Sequence, residues 1–276
     1  MAIAMTRCQP EPRENEMSTK TKTVVLIHGA WMVPASWEGF KARYEAAGYT
    51  VITPAWPYLE GKPAAELRRN IDPAFGSMGL KQIVDHYEAI IKALPEKPLL
   101  VGHSFGGLIV QLLLDRGLGV AGVALDPGPI AGVIADPVSL TAALPPILRW
   151  NGWNTPFLLT PDGFNAKFAN TAPADLQKTA YDKYVVPAPG RIFYQAASMI
   201  GNGVDVKRRT VPLLITAAEH DRTVSPALSR GIYNKQKKSP ARTDFHEFKD
   251  VSHSLAFEPG WEKVADYTLA WAEEVL

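Results

Sequence analysis

The segment Gly102-His103-Ser104-Phe105-Gly106 fits the pattern G-x-S-x-G, which lifts a serine hydroxyl onto a sharp turn between a strand and a helix. Only glycine on either side lets the two elements approach that closely, and Gly107 adds further room. A serine hydroxyl becomes an effective nucleophile when a neutral histidine takes its proton, and that imidazole must be oriented by a carboxylate on its other nitrogen. Six histidines compete for the role. His28 and His103 belong to glycine-containing motifs, His86 falls in a predicted helix, His220 adjoins an acid and His246 falls in a predicted strand. His253, in a loop beyond the last predicted strand, is left as the base. Asp221 is the favoured acid, Asp126 its rival and Glu219 a weaker third. Loop aspartates and histidines are common singly. Here the order Ser, Asp, His, with room for one helix and one strand between Asp221 and His253, returns both groups to one sheet edge.

Acyl transfer builds negative charge on the carbonyl oxygen, and two preset backbone N–H groups lower the barrier by about 3 to 4 kcal/mol each. Phe105, directly after the serine, offers one, and Ala30 in His28-Gly29-Ala30-Trp31 offers the other. Trp31, His103, Trp150 and Trp153 are the candidate substrate contacts. Loss of activity is expected as pH falls through about 6 to 7, where a free imidazole protonates.

These groups meet only if a sheet brings them together. Val24-Val25-Leu26-Ile27 reads as a strand buried on both faces, followed by a helix over 36–47 and a strand at Thr50-Val51-Ile52-Thr53. Residues 54–79 read as a long irregular excursion. A helix over 80–94, a strand at Leu99-Leu100-Val101, a helix over 108–114 and a strand over 120–125 then continue the β-α alternation of a parallel sheet. From 127 to 207 strand-like runs stop and aromatics accumulate, which reads as a helical lid. The rhythm resumes with strands at 211–216 and 243–248 and helices at 226–235 and 261–275. The expected organisation is a tail over 1–22, a core over 23–126 and 208–276, and a lid over 127–207.

Composition excludes several classes. A net charge of +1 provides no field for nucleic acid or anionic membranes. No apolar run is long enough for a transmembrane helix, and the first residues lack a secretory apolar core, so a cytoplasmic location is the default. Cys8 is the single cysteine, in the polar tail that also contains Met17, an alternative start, which excludes an intramolecular disulfide and a cysteine metal cluster. The histidines share no metal-ligand spacing, and no metal or cofactor is expected.

The motifs around His28-Gly29-Ala30-Trp31, Ser104, Glu219-His220-Asp221 and Ser252-His253 together resemble the α/β-hydrolase superfamily, over about residues 23–276. The resemblance implies an α/β-hydrolase fold, a mainly parallel sheet flanked by helices with a lid inserted after Leu125. It also implies cofactor-free hydrolysis of esters, lactones, thioesters or amides. The short run into the first strand resembles the methylesterase and hydroxynitrile lyase branch. Lyase members carry threonine where Gly29 stands and lysine where Ser254 stands, and epoxide hydrolases and haloalkane dehalogenases carry aspartate where Ser104 stands. The expected activity is therefore cleavage of an ester or lactone of a small, apolar or bulky molecule through an acyl-enzyme. The alternatives are a ligand receptor on the same scaffold with slow turnover, and a cofactor-independent oxygenase or perhydrolase.

Overall fold

The computed structural model describes residues 21–276. The expected tail, with Cys8 and Met17, lies outside the described residues except at its end. There the Lys22 carbonyl accepts from the Thr50 N–H at 2.7 Å, so residue 22 already belongs to the sheet margin.

In chain order the strands are β1 (Thr23–Ile27), β2 (Thr50–Ile52), β3 (Leu99–His103), β4 (Ala121–Leu125), β5 (Pro156–Phe157), β6 (Ala188–Pro189), β7 (Leu213–Ala218) and β8 (Thr243–Phe248). The helices are α1 (Glu38–Ala46), α2 (Ala64–Arg69), α3 (Leu80–Lys92), α4 (Phe105–Asp115), α5 (Pro137–Leu148), the single turn α6 (Pro161–Gly163), α7 (Ala174–Tyr184), α8 (Gly190–Ser198), α9 (Pro226–Gln236) and α10 (Trp261–Val275). Six strands form one sheet in the order β2-β1-β3-β4-β7-β8, and every pairing in it is parallel. This is the fold the β-α alternation predicts.

Alternate strand residues feed two cores, as the pleat requires. Val24, Leu26, Leu99, Val101 and Val123 pack toward Phe40 of α1 and Val264 of α10. Val25, Ile27 and Leu100 face the opposite side, toward Ile83 of α3, Leu108 of α4 and Leu228 of α9. The chain runs from β1 outward to β2 and then returns to β3 on the other side, so the order reverses between β1 and β3. In open α/β sheets a crevice opens at the carboxyl ends of the strands at such a reversal, and it is the usual ligand site.

Two features depart from the expected pattern. The excursion over 54–79 contains α2, whose six residues bury only Ala64 and Leu67 and so show no period in sequence. A long-range tie holds it, because the Arg68 guanidinium donates to the carbonyls of Tyr181, Asp182 and Val185 at the end of α7. The insertion between β4 and β7 is not purely helical: β5 and β6 form a two-residue antiparallel ladder, too short to alternate. The insertion is fastened at its start by Asp136, which caps α5 by accepting from Val138 N and also accepts from the hydroxyls of Ser139 and Ser225. Among the described residues, no helix is long and apolar enough to cross a membrane.

Candidate active site

Ser104 stands between β3 and α4 with φ 58° and ψ −122°, a left-handed conformation that is strained for a residue with a side chain. The surrounding turn leaves no space. A Cβ on Gly106 would lie 2.0 Å from the Ile27 carbonyl oxygen, and one on Gly102 would lie 2.2 Å from the Gly106 carbonyl oxygen. Backbone contacts of this kind cannot be relieved by a rotamer change. Gly106→Ala is therefore expected to lower unfolding stability by about 4 kcal/mol or more, or to abolish soluble folding, as denaturant melting would report.

The loop after β1 lies directly over this turn: a Cβ on Gly29 would meet the Ser104 Cβ at 2.7 Å. Trp31 holds φ 65°, and its indole N–H donates to the Phe157 carbonyl at 3.1 Å. No backbone carbonyl among the described residues takes up the N–H of Ala30 or Phe105.

His253 follows β8 and Asp221 follows β7, both buried. His253 Nδ1 lies 2.5 Å from Asp221 Oδ2. With the proton on Nδ1 donated to that carboxylate, Nε2 carries the lone pair, and Nε2 is buried with no hydrogen-bond partner among the described residues. The imidazole packs against His103, the residue before Ser104, with ring centroids 4.5 Å apart, and against Phe168 at 4.6 Å. Burial lowers its pKa well below the ordinary imidazole value.

The rival acid is in the same cluster. Asp126, Asp221 and His253 have side-chain ligand atoms within 4.8 Å of one another. Asp221 Oδ1 accepts from the N–H groups of Thr223 at 2.7 Å and Val224 at 2.8 Å, while Oδ2 takes His253. Asp126 accepts from the Thr216 hydroxyl and the Ala218 N–H, each at 3.1 Å. Burial raises both carboxyls, and Asp126, facing the Asp221 charge, is raised further. Asp221 has more donors around it, so it carries the negative charge and Asp126 holds the proton, donating it toward Asp221.

Glu258, absent from the expected site residues, is buried beside His253. It accepts from Ser252 N at 2.5 Å, from the hydroxyls of Ser252 and Ser254 at 3.0 Å each, and from the Thr171 hydroxyl of the insertion at 2.6 Å. It thus grips the turn on both sides of His253. The available signal was the apolar run Leu255-Ala256-Phe257 before Glu258-Pro259, which marks a buried loop rather than a solvated one.

The expected substrate contacts separate. Trp31 lines an apolar cavity beside Ser104. His103 does not: it is buried among Trp37, Phe168 and His253. Trp150 lies beyond α5 and is 94% exposed, and Trp153 packs on Tyr194 under the Arg191 guanidinium, so neither faces the cavity. Two groups could offer metal ligands among the described residues. The buried one is already knitted by the bonds given above, and in the surface one, Glu219, His220 and Asp250, the Glu219 carboxylate takes Lys249.

The sequence profile of the alpha/beta hydrolase family matches residues 24–267. The chain belongs to the alpha/beta hydrolase family. Among solved structures, this hydrolase is similar to a monoacylglycerol lipase from Paleococcus ferrophilus, with TM-score 0.69, 20% identity, and coverage of 93% of this chain and 96% of that one. It is also similar to a methylesterase from Arabidopsis, with TM-score 0.67, 16% identity, and coverage of 91% and 98%. A thermophilic esterase from Thermogutta terrifontis has TM-score 0.67, 15% identity, and coverage of 92% and 90%. No curated protein sequence matches the hydrolase. At these identities the likeness establishes the shared fold.

Proposed function

We propose that this hydrolase is a serine esterase cleaving a carboxylic ester or lactone of a small apolar molecule through an acyl-enzyme. The observation that carries the reading is the 2.5 Å contact from His253 Nδ1 to Asp221, which leaves a buried, unshared lone pair on Nε2 beside the strained Ser104 turn. Ser104 Oγ attacks the carbonyl carbon, His253 accepts the hydroxyl proton and passes it to the leaving oxygen, and Asp221 stabilises the imidazolium between these steps. The N–H groups of Ala30 and Phe105 receive the oxyanion. Water deprotonated by His253 then releases the acid. His253 Nε2 has no partner among the described residues, Ser104 Oγ included, and a bond between nucleophile and base often forms fully only when substrate binds.

Hydrolysis is favoured over cyanohydrin cleavage by the crowding at Gly29. The threonine that the lyases carry there would begin with a Cβ 2.7 Å from that of Ser104. The Arabidopsis methylesterase and the monoacylglycerol lipase lend the reading their printed activities only as precedent on the same fold.

A fluorophosphonate probe tests it. Labelling should occur on Ser104 and vanish in Ser104→Ala. Its rate requires a neutral imidazole, and burial lowers the pKa of His253, so the base form persists to lower pH than in free histidine. The labelling rate should accordingly hold through pH 6.5 and decline only below it, as pH falls through the lowered value. Labelling that survives Ser104→Ala, or a midpoint above 6.5, would refute the assignment.

A further inference from the structure

His28 follows β1, is buried, and has no part in the proton transfers of Ser104, Asp221 and His253. Both of its ring nitrogens are nevertheless engaged. The Trp56 N–H, which can only donate, lies 3.2 Å from Nε2. Nε2 therefore carries the lone pair, and the proton sits on Nδ1, which donates to the Gly29 carbonyl at 2.9 Å. Burial lowers the pKa of the ring to about 4, so the neutral form is the one present near neutral pH.

Trp56 is itself held in place. Its indole stacks on the His28 imidazole, with ring centroids 5.1 Å apart and planes 27° from parallel. The two residues before it are tied to α3: the Tyr87 hydroxyl donates to the Pro54 carbonyl at 2.8 Å, and His86 Nε2 lies 3.0 Å from the Ala55 carbonyl oxygen.

The Gly29 carbonyl belongs to the same peptide unit as the Ala30 N–H. That unit is planar and, with no cis bond among the described residues, its C=O and N–H point in opposite directions. Holding one sets the other. The unit sits beside the nucleophile, since a Cβ on Gly29 would lie 3.4 Å from Ser104 Oγ. A peptide that follows glycine is otherwise free to turn, and a half-turn would present a carbonyl oxygen to the developing oxyanion in place of a donor.

We infer, resting on the esterase reading above, that His28 is a positioning residue: its Nδ1–H holds the Gly29 carbonyl and so keeps the Ala30 N–H aimed at the oxyanion.

Three substitutions separate the two bonds of the ring. His28→Gln places an amide where Nε2 stands and can still accept from Trp56, His28→Asn places an amide N–H where Nδ1 stands and can still donate to Gly29, and His28→Phe keeps the ring and loses both bonds. On one nitrophenyl ester, His28→Gln and His28→Phe should each lower kcat about 100-fold with KM within about threefold, since the lost interaction is made in the transition state. His28→Asn should recover kcat to within about fivefold of the wild type. The inhibition constant of an alkylboronic acid, whose serine adduct is a tetrahedral anion, should rise about 100-fold in the Gln and Phe variants. Nitrogen NMR of the unaltered protein should show His28 protonated at Nδ1 and bare at Nε2, and decides the matter if the variants do not fold. A protonated Nε2, full kcat in the Gln and Phe variants, an equal loss in His28→Asn, or a loss carried by KM overturns the inference. With turnover abolished by Ser104→Ala, any of these leaves the esterase reading standing. Turnover that survives Ser104→Ala overturns both.

Discussion

Ser104→Ala should lower kcat by about 10⁶, and adding His253→Ala to it should cost almost nothing further, because nucleophile and base act as one unit. The residual rate in both variants should come from substrate binding and the proposed oxyanion donors, the N–H groups of Ala30 and Phe105, which neither change removes. The contrast between single and double variants, measured on one ester under saturating conditions, is the informative quantity. Two independent losses that multiply would mean that His253 acts on something other than the Ser104 proton. The expectation follows from burial and from the packing of the imidazole against His103, next to Ser104. His253 has no exposed surface, and its Nε2 has no competing partner among the described residues, so the proton of an attacking hydroxyl is the one task its lone pair can meet.

The second large effect separates two carboxyls that share one pocket. Asp221→Asn should reduce kcat by about 10⁴, because an amide there cannot stabilise the imidazolium or enforce the Nδ1–H tautomer. Asp126→Asn should stay within about tenfold of the wild type, since a neutral amide N–H replaces a neutral carboxyl O–H as donor toward Asp221. Asp126→Leu removes that donor and should fall between the two. A larger loss from Asp126→Asn than from Asp221→Asn would transfer the acid role to Asp126. Asp221 is surrounded by the N–H groups of Thr223 and Val224 and the imidazole, which suits a charge. Asp126 has one hydroxyl and one N–H, which suits a shared proton.

What could be read from the sequence was whatever leaves a local signature. β8 and α10 have the limits their composition predicts, Thr243–Phe248 and Trp261–Val275, because turn residues bound one and apolar spacing sustains the other. The serine turn is similarly local: Gly102 and Gly106 are required by contacts within a few ångströms, so the spacing of the motif carries them. The features that escaped depend on distant partners. α2 is fixed by Arg68 reaching the end of α7, more than 110 residues away. Asp126 and Asp221 are 95 positions apart, and no pattern along either strand reveals that their carboxyls meet. Trp150 and Trp153 drew attention as aromatics in an insertion, but side-chain identity does not tell which face of such a layer meets the cavity. The small alanines of α5 and α8 line it instead.

The grip of Glu258 bears on how this scaffold can be rebuilt. Its carboxylate is shared between the turn that carries His253 and Thr171 of the insertion. A chimera that exchanged residues 127–207 for the corresponding stretch of another hydrolase would leave that anion short of a donor in a place water does not reach. The loss would be felt at the imidazole rather than at the graft boundary. Recombination within this architecture should therefore succeed only where the transplanted stretch carries its own hydroxyl to the same spot.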